Sequence, residues 1–421
     1  MIMQIVSLIF LIGAIILGVV KKINVGIVCL GLALILAMIG GVNTKIIFNG
    51  FPTKLFITLL GTMYLFSMLQ ENKTLELLSK KIILLVGKRT FFIPIIMYVV
   101  SYVLSAAGPG AISVQAVTII FAVSLAVEMN VSAIMMGTLA FLGSVGGTAS
   151  PIALTGIIVG DLLSAQKITG IHEIQVKVFL GVTLVNLICA VIVYIVFKGY
   201  KINSDMQVSV DKVPKFNTKQ KISLIGLITL AVLVIGFQLD VGLISFLIAV
   251  ILTIFKVSDE KMAMKLVPWS VLILVCGVGV LMAVTQSMGG ITLLAKILAS
   301  FMNGFTAAPI IGLTAGIMTW FSSANGVVMP TLIPTVPKLV MSIGGSANIV
   351  EMVSAIVSCS TLSGISPLST AGCLLMAGYT QDTGANEKEQ QSLFIKLFIL
   401  CVSLLLFAAA LTLVGIFKPF I

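Results

Sequence analysis

GSVGGTASP (Gly143–Pro151) and STLSGISPLS (Ser360–Ser369) decide how this chain is read. Each interrupts a long apolar run with glycine, small hydroxyl residues and a proline, and Ser150-Pro151 lies 216 residues before Ser366-Pro367. A helix in lipid must satisfy its backbone groups internally, so a break is tolerated only where it is buried in protein or lines a wet cavity. Sliding the chain by the same offset brings Pro52 onto Pro268, Gly61 onto Gly277 and Lys80 onto Lys296. The flanking apolar blocks superpose as well: 2–20 on 221–237, 23–41 on 240–256, and 176–197 on 392–416. One offset shared by so many elements marks an internal repeat.

The rest of the sequence agrees with a membrane setting. Of 421 residues, 59% are hydrophobic and 9% charged, and the mean hydropathy is +1.23. Soluble domains carry about 25% charged residues, so lipid is the solvent for most of this chain. Met1–Val20 is apolar and is followed by Lys21-Lys22, the reverse of the order in a signal peptide, and reads as a retained first membrane helix. Further spans fall near 23–41, 55–70, 131–163 (broken), 176–197, 221–237, 240–256, 268–286, 347–380 (broken) and 392–416. Two more apolar stretches, 91–128 and 306–341, are interrupted at LSAAGPGAIS (Leu104–Ser113) and FSSANGVVMP (Phe321–Pro330). Each reads as two spanning helices or as one re-entrant hairpin. Glu71–Arg89 sets Leu75, Leu78, Ile82 and Leu85 at helical spacing among lysines, the pattern of an amphipathic helix in the interface. Lys198–Lys221 is polar and near the midpoint, a linker between halves.

Five crossings per half, or seven, are both odd, so the second half enters the bilayer upside down relative to the first. The expected fold is an all-α polytopic membrane protein: an inverted repeat of about five spans each, with two re-entrant hairpins and two broken helices. The repeats are residues 1–198 and 221–421, joined by a linker over 199–220. Loop charge sets the orientation. With Met1 outside, 17 Lys and Arg residues fall on the inner side and six on the outer. Both termini are therefore expected outside and the linker in the cytoplasm, in the cell membrane of a bacterium.

Several functions drop out. The formal charge of +11 comes from lysines scattered between apolar runs, not from a basic face interleaved with aromatics, so nucleic acid is not a partner. One histidine excludes multi-histidine metal sites, and the six cysteines, all in apolar stretches without paired spacing, read as buried free thiols. His172 falls in an external loop, Trp269 reads as an interfacial anchor and Trp320 as a packing residue. No nucleophile–base pair or phosphate loop is visible, so the chain is not read as an enzyme and no cofactor is expected. The chemistry sits at the four breaks. The hairpin tips offer Ser105, Gly108 and Gly110, and Ser322, Ser323, Asn325 and Gly326. The span breaks offer Gly146, Gly147, Thr148 and Ser150, and Ser363, Gly364 and Ser366. Glycine lets backbone approach a solute, freed N–H groups at half-helix N-termini bind anions, and freed carbonyls with Ser, Thr and Asn oxygens suit Na⁺. Ser322, Asn325 and Ser363 are the candidate Na⁺ ligands. Small residues in membrane helices also mark close helix packing, which is the competing reading of any single break. Among ionisable residues, Glu128, Asp161, Lys338 and Glu351 are the candidates for membrane depth, and Lys338 could face an anion or snorkel to the surface.

These motifs resemble the ion transporter superfamily, and within it the divalent anion:sodium symporter (DASS) group and MatC-type malonate or C4-dicarboxylate carriers. The resemblance covers essentially the whole chain. Such carriers have a Ser-Asn-Thr signature at each hairpin tip. Here Ser105 and Ser322 match in place, the first tip lacks the Asn, and neither tip has the intact triplet. The resemblance implies a secondary active transporter of a small dicarboxylate, by Na⁺-coupled symport or exchange. It also implies a homodimer whose transport parts (52–197 and 268–416) slide as an elevator against scaffold spans (2–41 and 221–256). With Asn325 only in the second tip, the second-half cation site is expected to be the stronger. The alternative within the superfamily, a cation/proton antiporter, needs a titratable group at the midplane, and none of the four breaks contains Asp or Glu.

Overall fold

The computed structural model describes residues 2–21, 23–84, 90–108, 110–202, 214–237, 239–267, 269–343 and 347–420, and every regular element among them is helical. The first half runs α1 (Ile2–Lys21), α2 (Val25–Ile39), α3 (Lys45–Asn49), α4 (Thr53–Glu71), α5 (Thr74–Leu84), α6 (Ile93–Ala106), α7 (Gly110–Glu128), α8 (Ala133–Gly147), α9 (Leu154–Ala165) and α10 (Ile171–Val196). The second runs α11 (Thr218–Ala231), α12 (Val241–Ile254), α13 (Glu260–Leu266), α14 (Trp269–Ser287), α15 (Gly290–Ala299), α16 (Ala307–Phe321), α17 (Met329–Leu332), α18 (Val336–Ser342), α19 (Ile349–Leu362), α20 (Thr370–Thr383) and α21 (Glu387–Val414). Five helical segments, Lys45–Glu71, Gly110–Glu128, Ile171–Val196, Ile349–Thr380 and Glu387–Val414, are long and apolar enough to cross a membrane. This is a multi-pass membrane protein.

Helix starts recur at the offset read from the sequence: α2 and α12, α4 and α14, α5 and α15, α8 and α19, α9 and α20, and α10 and α21 each begin 216 residues apart. The local causes recur too. Asn24 caps α2 by accepting from the Gly26 amide, and Asp240 caps α12 by accepting from Gly242 and Leu243. Ser132 and Asn348 cap α8 and α19 in the same way. The turns into α5 and α15 use left-handed residues, Lys73 (φ 59°) and Gly289 (φ 78°). At the second turn the chain bends by 85°. The hairpin arms differ. α7 is one helix of 19 residues, whereas its counterpart is divided into a π turn (Ala324–Val328), α17, a 3₁₀ turn (Ile333–Thr335) and α18. Pro330, Pro334 and Pro337 remove amide donors there and break the ladder. By length and composition α7 could cross a bilayer alone; α6, at 14 residues, spans only about 21 Å.

The halves are pinned together by two glycine crossings. A methyl group on Gly26 of α2 would strike the backbone of Ile273 and Leu274 on α14, and one on Gly277 would strike the Gly26 carbonyl. A methyl on Gly61 of α4 would strike the Gly242 carbonyl of α12, and one on Gly242 would strike Thr58. The Asn24 amide adds a hydrogen bond to the Ser270 carbonyl at 2.8 Å. The third span of each half is thus held backbone to backbone against the other half's second span, as small residues allow.

Within each half, the first hairpin arm packs against the first part of the broken span, and the two halves exchange which helix is small. Ser101 and Ser105 of α6 press onto Gly143 and Gly147 of α8. In the second half the glycines are on the hairpin arm: Gly312 and Gly316 of α16 receive Cys359 and Ser363.

Three expectations need correction. Cys373 is exposed on α20, while the other five cysteines are buried; an apolar neighbourhood in sequence does not say which face of a helix turns outward. His172 stands in the first turn of α10 rather than in a loop. The amphipathic segment is helical over Thr74–Leu84, buries Thr74, Leu75 and Leu77, and its predicted end at 85–89 falls outside the described residues. Trp269 donates from Nε1 to the Met264 carbonyl at 3.0 Å, and Trp320 packs against Phe398.

Candidate functional site

The first span break is organised around Thr148, which caps α8. Its carbonyl accepts from the amides of Thr155 (3.1 Å) and Gly156 (3.2 Å), the start of α9. The two threonine hydroxyls lie 3.2 Å apart. The Thr155 hydroxyl then donates to Oδ1 of Asn325 at 2.9 Å. Asn325 is only 9% exposed and sits in the π turn of the second hairpin. The second tip therefore docks on the first break, across 170 residues of sequence. Ser323 holds that tip in shape by accepting from the Gly326 amide at 3.1 Å, and Gly326 lies against Leu274 of α14. Ser322 closes α16 in extended conformation and donates back to the Met318 carbonyl at 2.7 Å.

The first tip stays within its own half. Gly108 (φ 137°) and Gly110 (φ 75°) adopt backbone conformations that L side chains rarely take, and both are crowded. Added methyl groups would come within 2.7 Å of the Phe66 ring and of Leu154, respectively. Pro109 between them lies outside the described residues. Ser105 is fully buried and its hydroxyl has no hydrogen-bond partner among the described residues. Gly146 and Gly147 meet different neighbours: Gly147 the backbone of Tyr102 and Ala106, Gly146 the side chains of Tyr102 and Asn186. Ser150 is buried, its amide donating to the Gly147 carbonyl at 3.0 Å.

At the second break, the Ser369 hydroxyl donates to the Gly364 carbonyl, and also to Ser366 at 2.8 Å. Ser366 is buried and its hydroxyl accepts from the Leu368 amide at 3.3 Å. Ser363, like Ser105, is fully buried with an unpartnered hydroxyl. Its carbonyl accepts from Cys401 Sγ at 3.3 Å, and no hydrogen bond joins Ser363 to Ser322 or Asn325 among the described residues. The two breaks approach each other where the Phe141 ring covers Gly364.

Sequence reading passed over three residues here. Thr155 carries the cross-half bond. Asn186 donates to the Val182 carbonyl at 2.9 Å and leaves a fully buried Oδ1 without a donor beside Gly146. Gln175 donates to the Gly156 carbonyl at 2.7 Å and covers Gly160, fixing the start of α9. At the 216-residue offset Thr155 and Asn186 meet Ala371 and Val402, so comparing the halves hides them; Gln175 meets Gln391 and was open to that comparison. Lys338 does not point into the site: its Nζ donates to the Thr292 hydroxyl of α15 at 2.6 Å.

A cavity of about 840 Å³ adjoins the first break. Ser150, Pro151 and Ile152 form part of its wall, and Lys54, Asp161, His172 and Asp240 line it.

A family model described as the dicarboxylate carrier protein MatC N-terminus matches residues 1–148, which end at the Thr148 cap. No curated protein sequence matches the chain. Among solved structures, the chain is similar to the YdaH transporter of Alcanivorax borkumensis, whose crystal structure is described as revealing an unusual topology. The TM-score is 0.56 at 13% identity, over 88% of this chain and 86% of that one, a likeness of fold.

Proposed function

We propose that this protein is a secondary active transporter of a small dicarboxylate anion, working by Na⁺-coupled symport or by exchange. The observation that carries the reading is the bond from Thr155 to Asn325, which joins a hairpin tip of one half to the helix break of the other in a membrane protein. Breaks at membrane depth are tolerated where they serve a solute, and paired breaks at a repeat interface are where such carriers bind. The MatC N-terminus match supports a dicarboxylate as the solute. Ser105 and Ser363, buried with unpartnered hydroxyls, are the oxygens a hard cation would use.

The repeat is taken as inverted, the termini as external and the linker as cytoplasmic, in a homodimeric elevator. Contacts between loops support that topology. Glu71, Asn72, Gln220, Ser223 and Asp259, all assigned to the inner side by loop charge, hydrogen-bond to one another. Lys54, His172 and Asp240, all assigned to the outer side, line one cavity. The close backbone approach of α4 to α12 and of α14 to α2 favours counting α4 and α14 with the scaffold. The moving part is then α6 to α10 with α16 to α21.

The test is uptake of a panel of labelled carboxylates into proteoliposomes, with and without a Na⁺ gradient, together with counterflow. Saturable uptake or counterflow of a C3 or C4 dicarboxylate is expected. Absence of both across the panel would overturn the reading.

A further inference from the structure

The cavity above the first break contains a carboxylate that the fold leaves unused. Asp161 lies on α9, six residues beyond Thr155, and is half-buried in the cavity wall. It makes no hydrogen bond and no ion pair within 4.0 Å among the described residues. The other carboxylate of the cavity, Asp240, is committed, since its Oδ1 accepts from the Gly242 and Leu243 amides at 3.0 Å each. The repeat partner of Asp161 is Ala377, so the second half has no equivalent group. An ionisable side chain that lines a cavity in a membrane protein and is not required for helix capping points to function.

α10, which packs against α9, carries the Lys177–Glu173 ion pair (2.9 Å) in its first two turns. Lys54 of α4 is within reach of the Asp161 charge. From α14, Cys276 is within reach as well. His172 of α10 and Asp240 ahead of α12 line the same cavity. α17 and the Ile333–Thr335 turn contain no ionisable residue, and α7 has only Glu128 at its far end. In the division argued above, Asp161 rides on the moving part and Lys54 on the fixed part.

We propose that Asp161 is a proton-binding site that couples the carrier to the pH gradient, an inference that rests on the transporter reading. The carboxylate takes one proton from external water and becomes a neutral acid. The neutral form leaves Lys54 without breaking an attraction between opposite charges, so the loaded moving part travels with the proton. On the inner side the acid releases the proton to water and returns as the carboxylate. One proton carried with a dianion leaves one negative charge to be balanced by Na⁺ or by a second proton on the substrate.

The test uses the full-length protein in proteoliposomes with a pH-sensitive dye inside, labelled malonate or succinate as substrate, and equal Na⁺ on both sides. Substrate added outside wild-type vesicles should acidify the lumen, and an inside-alkaline jump should drive accumulation. Asp161→Asn should lose at least tenfold of that accumulation and the lumenal acidification, yet keep counterflow, which needs no net proton movement. Asp161→Glu should retain accumulation. Wild-type counterflow without substrate-evoked acidification would overturn the proposal and leave the carrier reading standing. So would Asp161→Asn vesicles that accumulate substrate like wild type. If wild type shows no counterflow with any dicarboxylate, the carrier reading itself fails and this inference falls with it. Should Asp161→Asn lose counterflow too, the wild-type dye response and Asp161→Glu decide, and loss of accumulation in the glutamate variant while its counterflow persists would overturn the assignment.

Discussion

Replacing Thr155 with valine keeps the shape of the side chain and removes one hydroxyl. That hydroxyl donates to Asn325 Oδ1 at 2.9 Å and meets Thr148 Oγ1 at 3.2 Å. Asn325 is 9% exposed, so water cannot readily replace the lost donor. A buried acceptor left without a partner costs about 1–3 kcal/mol, against about 1 kcal/mol for the net value of an ordinary hydrogen bond. Asn325→Ala removes the acceptor instead, and the Thr155 hydroxyl keeps Thr148 within reach, so its polar cost is about 1 kcal/mol. In the double variant the orphaned carbonyl no longer exists, and the combined loss should fall short of the sum by about 1 kcal/mol or more. If tip docking supports substrate binding, about 1.4 kcal/mol corresponds to a tenfold rise in the apparent dissociation constant for Thr155→Val. Proteoliposome uptake at varied substrate concentration measures it, with expression and detergent melting as controls for folding. Losses that add to within about 0.3–0.5 kcal/mol would mean that the two residues act independently, and would refute the claim that the second tip reads the first break.

Other outcomes follow from the same geometry. Gly277→Ala should destabilise the protein by about 1–3 kcal/mol through overpacking, seen as a lower detergent melting temperature, whereas Gly31→Ala, with nothing within 4 Å of the new methyl, should be neutral or stabilising by up to about 1 kcal/mol. Single-cysteine labelling in a cysteine-free background should find 198–221 accessible from the cytoplasm and 165–175 from outside; outside labelling of the linker would reverse the orientation. With Asn325 in only one tip, Na⁺ dependence of uptake should show a Hill coefficient no greater than two, and a steeper dependence with inward positive current would remove the single-site expectation.

The breaks were legible because glycine and proline punctuate apolar runs strongly, and because Ser150-Pro151 and Ser366-Pro367 repeat at the offset that places six pairs of helix starts. What joins them was not legible. The Thr155–Asn325 bond crosses 170 residues, and Thr155 has an alanine as its repeat mate. Periodicity likewise cannot say that Asp161 faces a cavity, because α9 is short and apolar on most sides. Nor did composition locate Lys338, whose partner Thr292 sits on α15, beyond the 85° bend. Local chemistry writes the stops and starts of helices, while the choice of neighbour is made by the whole packed bundle.

The glycine crossings also set an order of assembly. Asn24 and its acceptor carbonyl at Ser270 are 246 residues apart, and the Gly26 face waits for the same helix. At about 5–20 residues per second of synthesis, that interval is roughly 10–50 s. During it α2 sits in lipid with a groove meant for another backbone. Val25, Gly26, Cys29 and Ala33 form that buried face, all small or apolar and none ionisable, so lipid can occupy the groove until α14 displaces it. A ribosome paused in the linker would therefore leave half a carrier stably inserted but unable to close its core, and the two halves made as separate chains should still find each other in the bilayer.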